Sequence, residues 1–202
     1  MDDIIGSLSS REIDILREVG NVGAGHAATA LSRLLNRRIL MTVPRAFVIP
    51  LREAPDLVGG AETLVVGIYL SITGDAPGHM LFFAPLESAM TLVEMLMGPQ
   101  EDLTEMARSA LEEVGNILTS SYLTALSDFT GLLVVPTPPL IAVDMLGAIL
   151  STVLVEVGKA SDYVLVVETE FQDAGRALSG YMVFIPEGIA LTTILRSLGE
   201  RQ

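Results

Sequence analysis

The chain has no cysteine and no tryptophan among its 202 residues, and only two histidines. Without cysteine there are no disulfides, no thiolate zinc sites and no thiol nucleophiles. His26 and His79 lie too far apart in sequence to form a ligand pair by local spacing, and a Ser-His-Asp triad would have to recruit one of them. Basic residues are scarce as well: 12 Lys and Arg stand against 25 Asp and Glu, a net charge of −13. That excess repels a phosphate backbone and an anionic bilayer surface, so neither nucleic acid nor membrane is expected as a partner. Apolar residues make up 50% of the chain and mean hydropathy is +0.53, yet long apolar runs are missing. The longest uncharged stretch, Phe129–Val143, holds three prolines and falls short of the ~18–20 residues of a membrane helix. Met1-Asp2-Asp3-Ile4-Ile5 lacks the basic start and apolar core of a signal peptide, so a cytoplasmic protein is expected.

What the chain does have is a repeat. At an offset of 95, Leu16-Arg17-Glu18-Val19-Gly20-Asn21 lies on Leu111-Glu112-Glu113-Val114-Gly115-Asn116. The same offset carries Thr29-Ala30-Leu31-Ser32 onto Thr124-Ala125-Leu126-Ser127 and Pro44 onto Pro139. Near the ends the offset is 101, with Phe83-Ala84-Pro85 on Phe184-Ile185-Pro186. Matches that keep their order over this length define two copies of one unit, residues 9–99 and 104–199, within a single domain spanning 1–202.

Each copy begins with a long amphipathic helix, Arg11–Asn36 and Glu105–Thr130. Ser9 with Glu12 forms a capping box for the first; Asp102 with Glu105, or Thr104, serves the second. β-branched runs follow, Arg38–Val48, Thr63–Ile72 and His79–Ala84 in one copy and Leu132–Val135, Tyr163–Phe171 and Ser179–Ile185 in the other. Short helices, Glu87–Met97 and Gly188–Leu198, close the copies, with Gly98 and Gly199 as stops. The second copy has an extra apolar segment, Asp144–Val157, which is either a buried helix or a partner-binding one. This order predicts an α+β fold: two pseudo-twofold-related repeats forming one mostly antiparallel sheet, with the long helices packed on it and exposed on one face.

The long helices carry a polar stripe, Asp14-x3-Glu18-x2-Asn21 and Ser109-x3-Glu113-x2-Asn116. At 100° per residue these side chains share one face, while Leu16 and Val19, and Leu111 and Val114, point the other way. A solvated helix face holds Glu and Asn in any protein. A mid-helix Asn, however, is several tenths of a kcal/mol worse than Ala, and the neighbouring Gly20 and Gly115 are each about 1 kcal/mol worse. Tolerating both twice points to a use for the carboxamide, and for a bare backbone that lets another surface come close. His26, in a small-residue stretch, is expected to be a packed or capping side chain, and His79 to start a strand.

A carboxamide is too weak a base to activate water alone, but it can orient one, as a glutamine does in GTPases. That suffices for an activated substrate such as an aspartyl phosphate, whose own protein supplies magnesium and a lysine. A Glu one turn away can pair with a cation on that partner. The pattern [Asp/Ser]-x3-Glu-x2-Asn-x22-Pro, ending at Pro44 and Pro139, resembles the CheC/CheX/FliY phosphatases of prokaryotic chemotaxis. The two intact motifs resemble the two-site arrangement within that family, and a form without an N-terminal extension or a C-terminal domain is expected.

The resemblance implies hydrolysis of the aspartyl phosphate on the response regulator CheY. By position, Asn21 and Asn116 would orient the attacking water, and Glu18 and Glu113 would pair with the regulator's lysine. Asp14 and Ser109 would support them, while Pro44 and Pro139 would shape the strand that follows each helix. No cofactor or metal is expected on this chain; magnesium belongs to the regulator. The receptor deamidase CheD is implied as a second partner, with the segment from Asp144 as its candidate surface. Two rivals stay open: a non-catalytic module that sequesters phosphorylated CheY or regulates CheD, and a self-contained hydrolase with Glu18 and Glu113 as an acid/base pair.

Overall fold

In the computed structural model, which describes residues 10–36, 38–42, 45–100, 102–157, 163–173 and 176–200, two strands from opposite halves of the chain meet at the centre. They are β4 (Gly78–Pro85) and β8 (Arg176–Pro186), antiparallel with Leu81 opposite Val183. The first copy supplies α1 (Ser10–Leu35), β1 (Leu40–Thr42), β2 (Ala46–Pro50), a 3-10 helix (Leu51–Val58), β3 (Leu64–Gly74), β4 and α2 (Leu86–Met97). The second supplies α3 (Glu105–Thr130), β5 (Val134–Pro136), β6 (Leu140–Met145), α4 (Leu146–Val157), β7 (Tyr163–Asp173), β8 and α5 (Ala190–Glu200).

The eight strands among the described residues form one antiparallel sheet in the order β1-β7-β8-β4-β3-β5, with β2 also beside β7 and β6 also beside β3. The order is palindromic in the repeats. Each copy keeps its own hairpin, β3–β4 or β7–β8, but sends its broken edge strand to the other copy's hairpin. The pseudo-twofold axis therefore passes between β4 and β8, and the halves interlock.

Side-chain alternation along the strands feeds two cores. Val66, Ile68, Leu70, Phe82, Met182 and Phe184 face α1, α2, α3 and α5. Val65, Leu81, Phe83, Val183 and Ile185 face α4 and the 3-10 helix. Strands buried on both sides have no polar alternation to show, which is why Leu64–Gly74 and Gly78–Pro85 are so uniformly apolar.

The helix termini follow local chemistry. Thr104 caps α3, its hydroxyl accepting from the Ala107 N–H at 3.3 Å. Gly131, at φ 73°, ends the same helix and donates its N–H to the Ser127 carbonyl. Gly98 closes α2 at φ 84°, but Gly199 lies inside α5 and stops nothing. Ser9, half of the expected capping box, lies outside the described residues.

Three further expectations are corrected. Arg38–Val48 is not one strand but β1 and β2, and the interval between them contains Pro44, which cannot donate to a ladder. Leu132–Val135 gives way to β5 and, after a break at Thr137–Pro139, the longer β6. The Asp144–Val157 segment is the end of β6 followed by α4.

Candidate functional site

α1 and α3 lie side by side on the sheet, and their sequence dictates which flank they bury. Leu16, Val19, Ala24 and Ala27 of α1 and Leu111, Val114, Leu118 and Tyr122 of α3 are all buried. On the opposite flank, Asp14, Glu18 and Asn21 are exposed, as are Ser109, Glu113 and Asn116. Each trio thus projects from a rigid helix backed by the core, with no neighbouring loop needed to hold it. Gly25, one turn beyond Asn21, adds to the first face: it is exposed and a Cβ there would meet nothing within 4 Å.

The glycines beside the asparagines serve the inside of the molecule. A Cβ at Gly115 would sit 2.5 Å from Ile68 Cγ2, so this residue brings α3 down onto β3 and offers no bare backbone to a partner. Gly20 is likewise buried, lining a small cavity of about 50 Å³. That cavity also fixes the relative direction of the helices: Leu16, Val19 and Gly20 of α1 share it with Tyr122, Leu123 and Leu126, from the later part of α3. The early part of one helix faces the late part of the other, so they run antiparallel.

At their crossing, Gly23 meets Tyr122, with 2.9 Å between a notional Gly23 Cβ and Tyr122 Cα. Glu18 stands five residues before this crossing and Glu113 nine before it. At 1.5 Å per residue in opposite directions, the two motifs lie about 20 Å apart. A carboxylate pair working on one substrate needs a separation below ~10 Å, so the self-contained acid/base hydrolase is excluded.

The prolines of the motif sit off these faces. Pro139 is half-buried in the break between β5 and β6; Pro44 lies outside the described residues. Neither histidine belongs to the stripe. His26 is exposed on α1, because its position turns it away from the sheet, and is not the packed side chain expected. His79, the second residue of β4, is buried on the α4 side of the sheet. Its Nδ1 lies 2.7 Å from the Tyr69 hydroxyl and its Nε2 2.7 Å from Glu187 Oε1. No cluster of three or more His, Asp or Glu suited to a metal occurs among the described residues.

Behind the site, Tyr122 and Thr169 share a buried hydrogen bond of 3.0 Å. Burial pushes the Tyr122 phenol up to about 12, against a smaller opposing effect of that bond. On the other side of the sheet, Leu146, Ile149, Leu150 and Val153 bury one flank of α4, while Val155 stays 82% exposed. The buried-helix reading of this segment accounts for Leu146, Ile149, Leu150 and Val153. Asp144 is exposed just before it, one carboxylate oxygen accepting from the Met145 N–H at 2.7 Å.

An antiparallel sheet built from two interlocked repeats, with paired long helices on one side, is a fold shared with several solved structures. The crystal structure of Thermotoga maritima FliY superimposes with a TM-score of 0.79 at 22% identity, over 96% of this chain and 99% of that one. The FliM middle domain from H. pylori does so at 0.65 and 10%, over 94% and 99%. The model of the CheC-like family matches residues 12–48 and 106–141, the stretches that hold both motifs and both prolines. The CheY-P phosphatase CheC of Bacillus subtilis (strain 168) is 40% identical over 204 residues, 97% of this chain and 98% of that protein. The flagellar motor switch phosphatase FliY of the same organism is 30% identical over 61% of this chain and 33% of its own length. This chain belongs to the CheC-like family.

Proposed function

We propose that this protein is a phosphatase that hydrolyses the aspartyl phosphate of phosphorylated CheY. The observation that carries the reading is the duplicated Glu/Asn pair, exposed on the outer faces of two core-backed helices, in a chain 40% identical to a protein named CheY-P phosphatase CheC. When a regulator docks on α1 or α3, Asn21 or Asn116 enters its active site. The carboxamide holds a water in line with the phosphorus, accepting from one of its O–H groups. The water oxygen bonds to phosphorus, the bond to the aspartyl oxygen breaks, and the products are inorganic phosphate and a free aspartate. Glu18 or Glu113 pairs with the regulator's lysine and sets the register of docking. Asp14 and Ser109 support the edge of each face, and Pro44 and Pro139 act only through the backbone that leaves the helix.

The magnesium ion in this reaction is the regulator's. The receptor deamidase CheD is a second proposed partner, meeting the outer side of α4 near Asp144 and Val155. No helix among the described residues is long and apolar enough to cross a membrane, and the reaction places the protein in the cytoplasm beside its substrate.

The test is the decay of phosphorylated CheY with wild type, Asn21→Ala, Asn116→Ala and the double variant. Acceleration by wild type, reduced in each single variant and abolished in the double, is expected. Binding of phosphorylated CheY with an unchanged half-life would replace the phosphatase by a sequestering module.

A further inference from the structure

The two motif helices are matched at the polar stripe but not around it. α1 carries three basic and three acidic residues, whereas α3 carries one basic and four acidic. The sharpest difference sits beside the working carboxamide. Arg17 lies one turn before Asn21, and its counterpart one turn before Asn116 is Glu112. Residues four apart on a helix are surface neighbours, so each flanking charge borders the carboxamide it precedes. Arg17 is exposed and Glu112 half-exposed, so both lie within reach of whatever covers the asparagine. Further along, exposed Arg33 is matched by exposed Asp128; the first motif position runs the other way, Asp14 against Ser109, but lies seven residues from the carboxamide where Arg17 and Glu112 lie four.

We infer that the two sites read the charge of the docked phosphoprotein differently: Arg17 draws an anionic phosphorylated surface to α1, and Glu112 repels it from α3. The inference rests on the phosphatase reading and deepens it. A phosphoryl group adds about two negative charges to the regulator. With Glu18 or Glu113 engaged by the regulator's lysine, the flanking charge that meets the rest of that surface is Arg17 at the first site and Glu112 at the second. Charges at the rim of an interface act mainly on the rate of encounter and on its salt dependence. The Debye length falls from about 30 Å at 0.01 M salt to about 10 Å at 0.1 M, so added salt hides the repulsion at α3 and the attraction at α1. The chain is thereby a two-input device: its first site prefers dilute ionic conditions or a more anionic regulator, its second the reverse.

Single-site proteins test this directly. Asn116→Ala leaves the α1 site and Asn21→Ala the α3 site; each is assayed on phosphorylated CheY at about 0.02 M and about 0.2 M salt, with the regulator's own decay subtracted at both. The α3-only protein is expected to speed up with salt by about threefold, and the α1-only protein to stay level or slow down. Adding Glu112→Arg to the former should remove its rise, and adding Arg17→Glu to the latter should create one. A common salt response in both single-site proteins, or charge exchanges that leave each response unchanged, overturns the inference while the phosphatase reading stands. No acceleration by wild type at either salt overturns the phosphatase reading, and the inference falls with it.

Discussion

Gly23 of α1 is seated directly on Tyr122 of α3: a Cβ at Gly23 would lie 2.9 Å from both Tyr122 Cα and Tyr122 Cδ1. The closest approach of the two motif helices depends on that missing methyl group. Gly23→Ala should therefore push the helices apart and destabilise the fold by about 1–3 kcal/mol. Gly25→Ala, two residues on in the same helix but with open space around it, should stabilise by about 0.5–1 kcal/mol through helix propensity. Urea unfolding of the two variants checks the opposite signs.

At Gly115 the obstacle is a side chain and can be removed. Gly115→Ala would press its methyl on Ile68 and should cost about 1–3 kcal/mol. The nearest obstructing atom is Ile68 Cγ2, which valine would keep, so the partner change is Ile68→Ala; Ile68 is buried, and this alone should destabilise by about 2–5 kcal/mol. In the double variant the two losses should fall short of their sum, a coupling read from a double-mutant cycle.

Tyr122 predicts an alkaline limit to stability. Its phenol titrates near the ordinary 10 when unfolded and at about 12 when folded. Between those values the unfolded chain releases a proton that the folded chain retains, so stability is unaffected below pH 10 and falls as pH rises toward 12. Two units correspond to about 2–3 kcal/mol. Tyr122→Phe should lose about 1 kcal/mol at pH 7, through the lost bond to Thr169, yet decline less steeply above pH 10. Unfolding curves at pH 7, 10 and 11 check both limbs.

The separation of the motifs predicts independence. With Glu18 and Glu113 about 20 Å apart by helix rise, each site works without the other's carboxylate. The accelerations left in Glu18→Ala and Glu113→Ala should then sum to at least that of wild type. A loss of nearly all activity in both single variants would contradict separate sites.

Much of this arrangement was legible in the sequence because it is local. The start of α3 follows from Thr104, and the exposure of Glu18, Asn21, Glu113 and Asn116 from 3.6-residue periodicity. The repeat itself implied the pseudo-twofold axis. What escaped is non-local. The pairing of β2 with β7 and of β6 with β3 joins residues more than 70 apart, and no pattern within either segment names its partner. The apolar Leu140–Met145 run is too short for its period to separate a strand from the start of the helix that follows. The 3-10 helix Leu51–Val58 contains Pro55 and has no α-helical signature. Gly20 and Gly115 show a different limit: the sequence marks them as tight approaches but not whether the approaching surface is the chain's own sheet or another protein.

The exchange of edge strands has a consequence for valency. Were either copy deleted, the remaining hairpin would lose its neighbour on one side and the central β4–β8 ladder on the other, leaving long apolar edges open to association. A one-site form of this protein is therefore not reachable by truncation. It can arise only by substitution on a helix that stays in place as scaffold, so an inactive motif would persist as architecture long after its chemistry was lost.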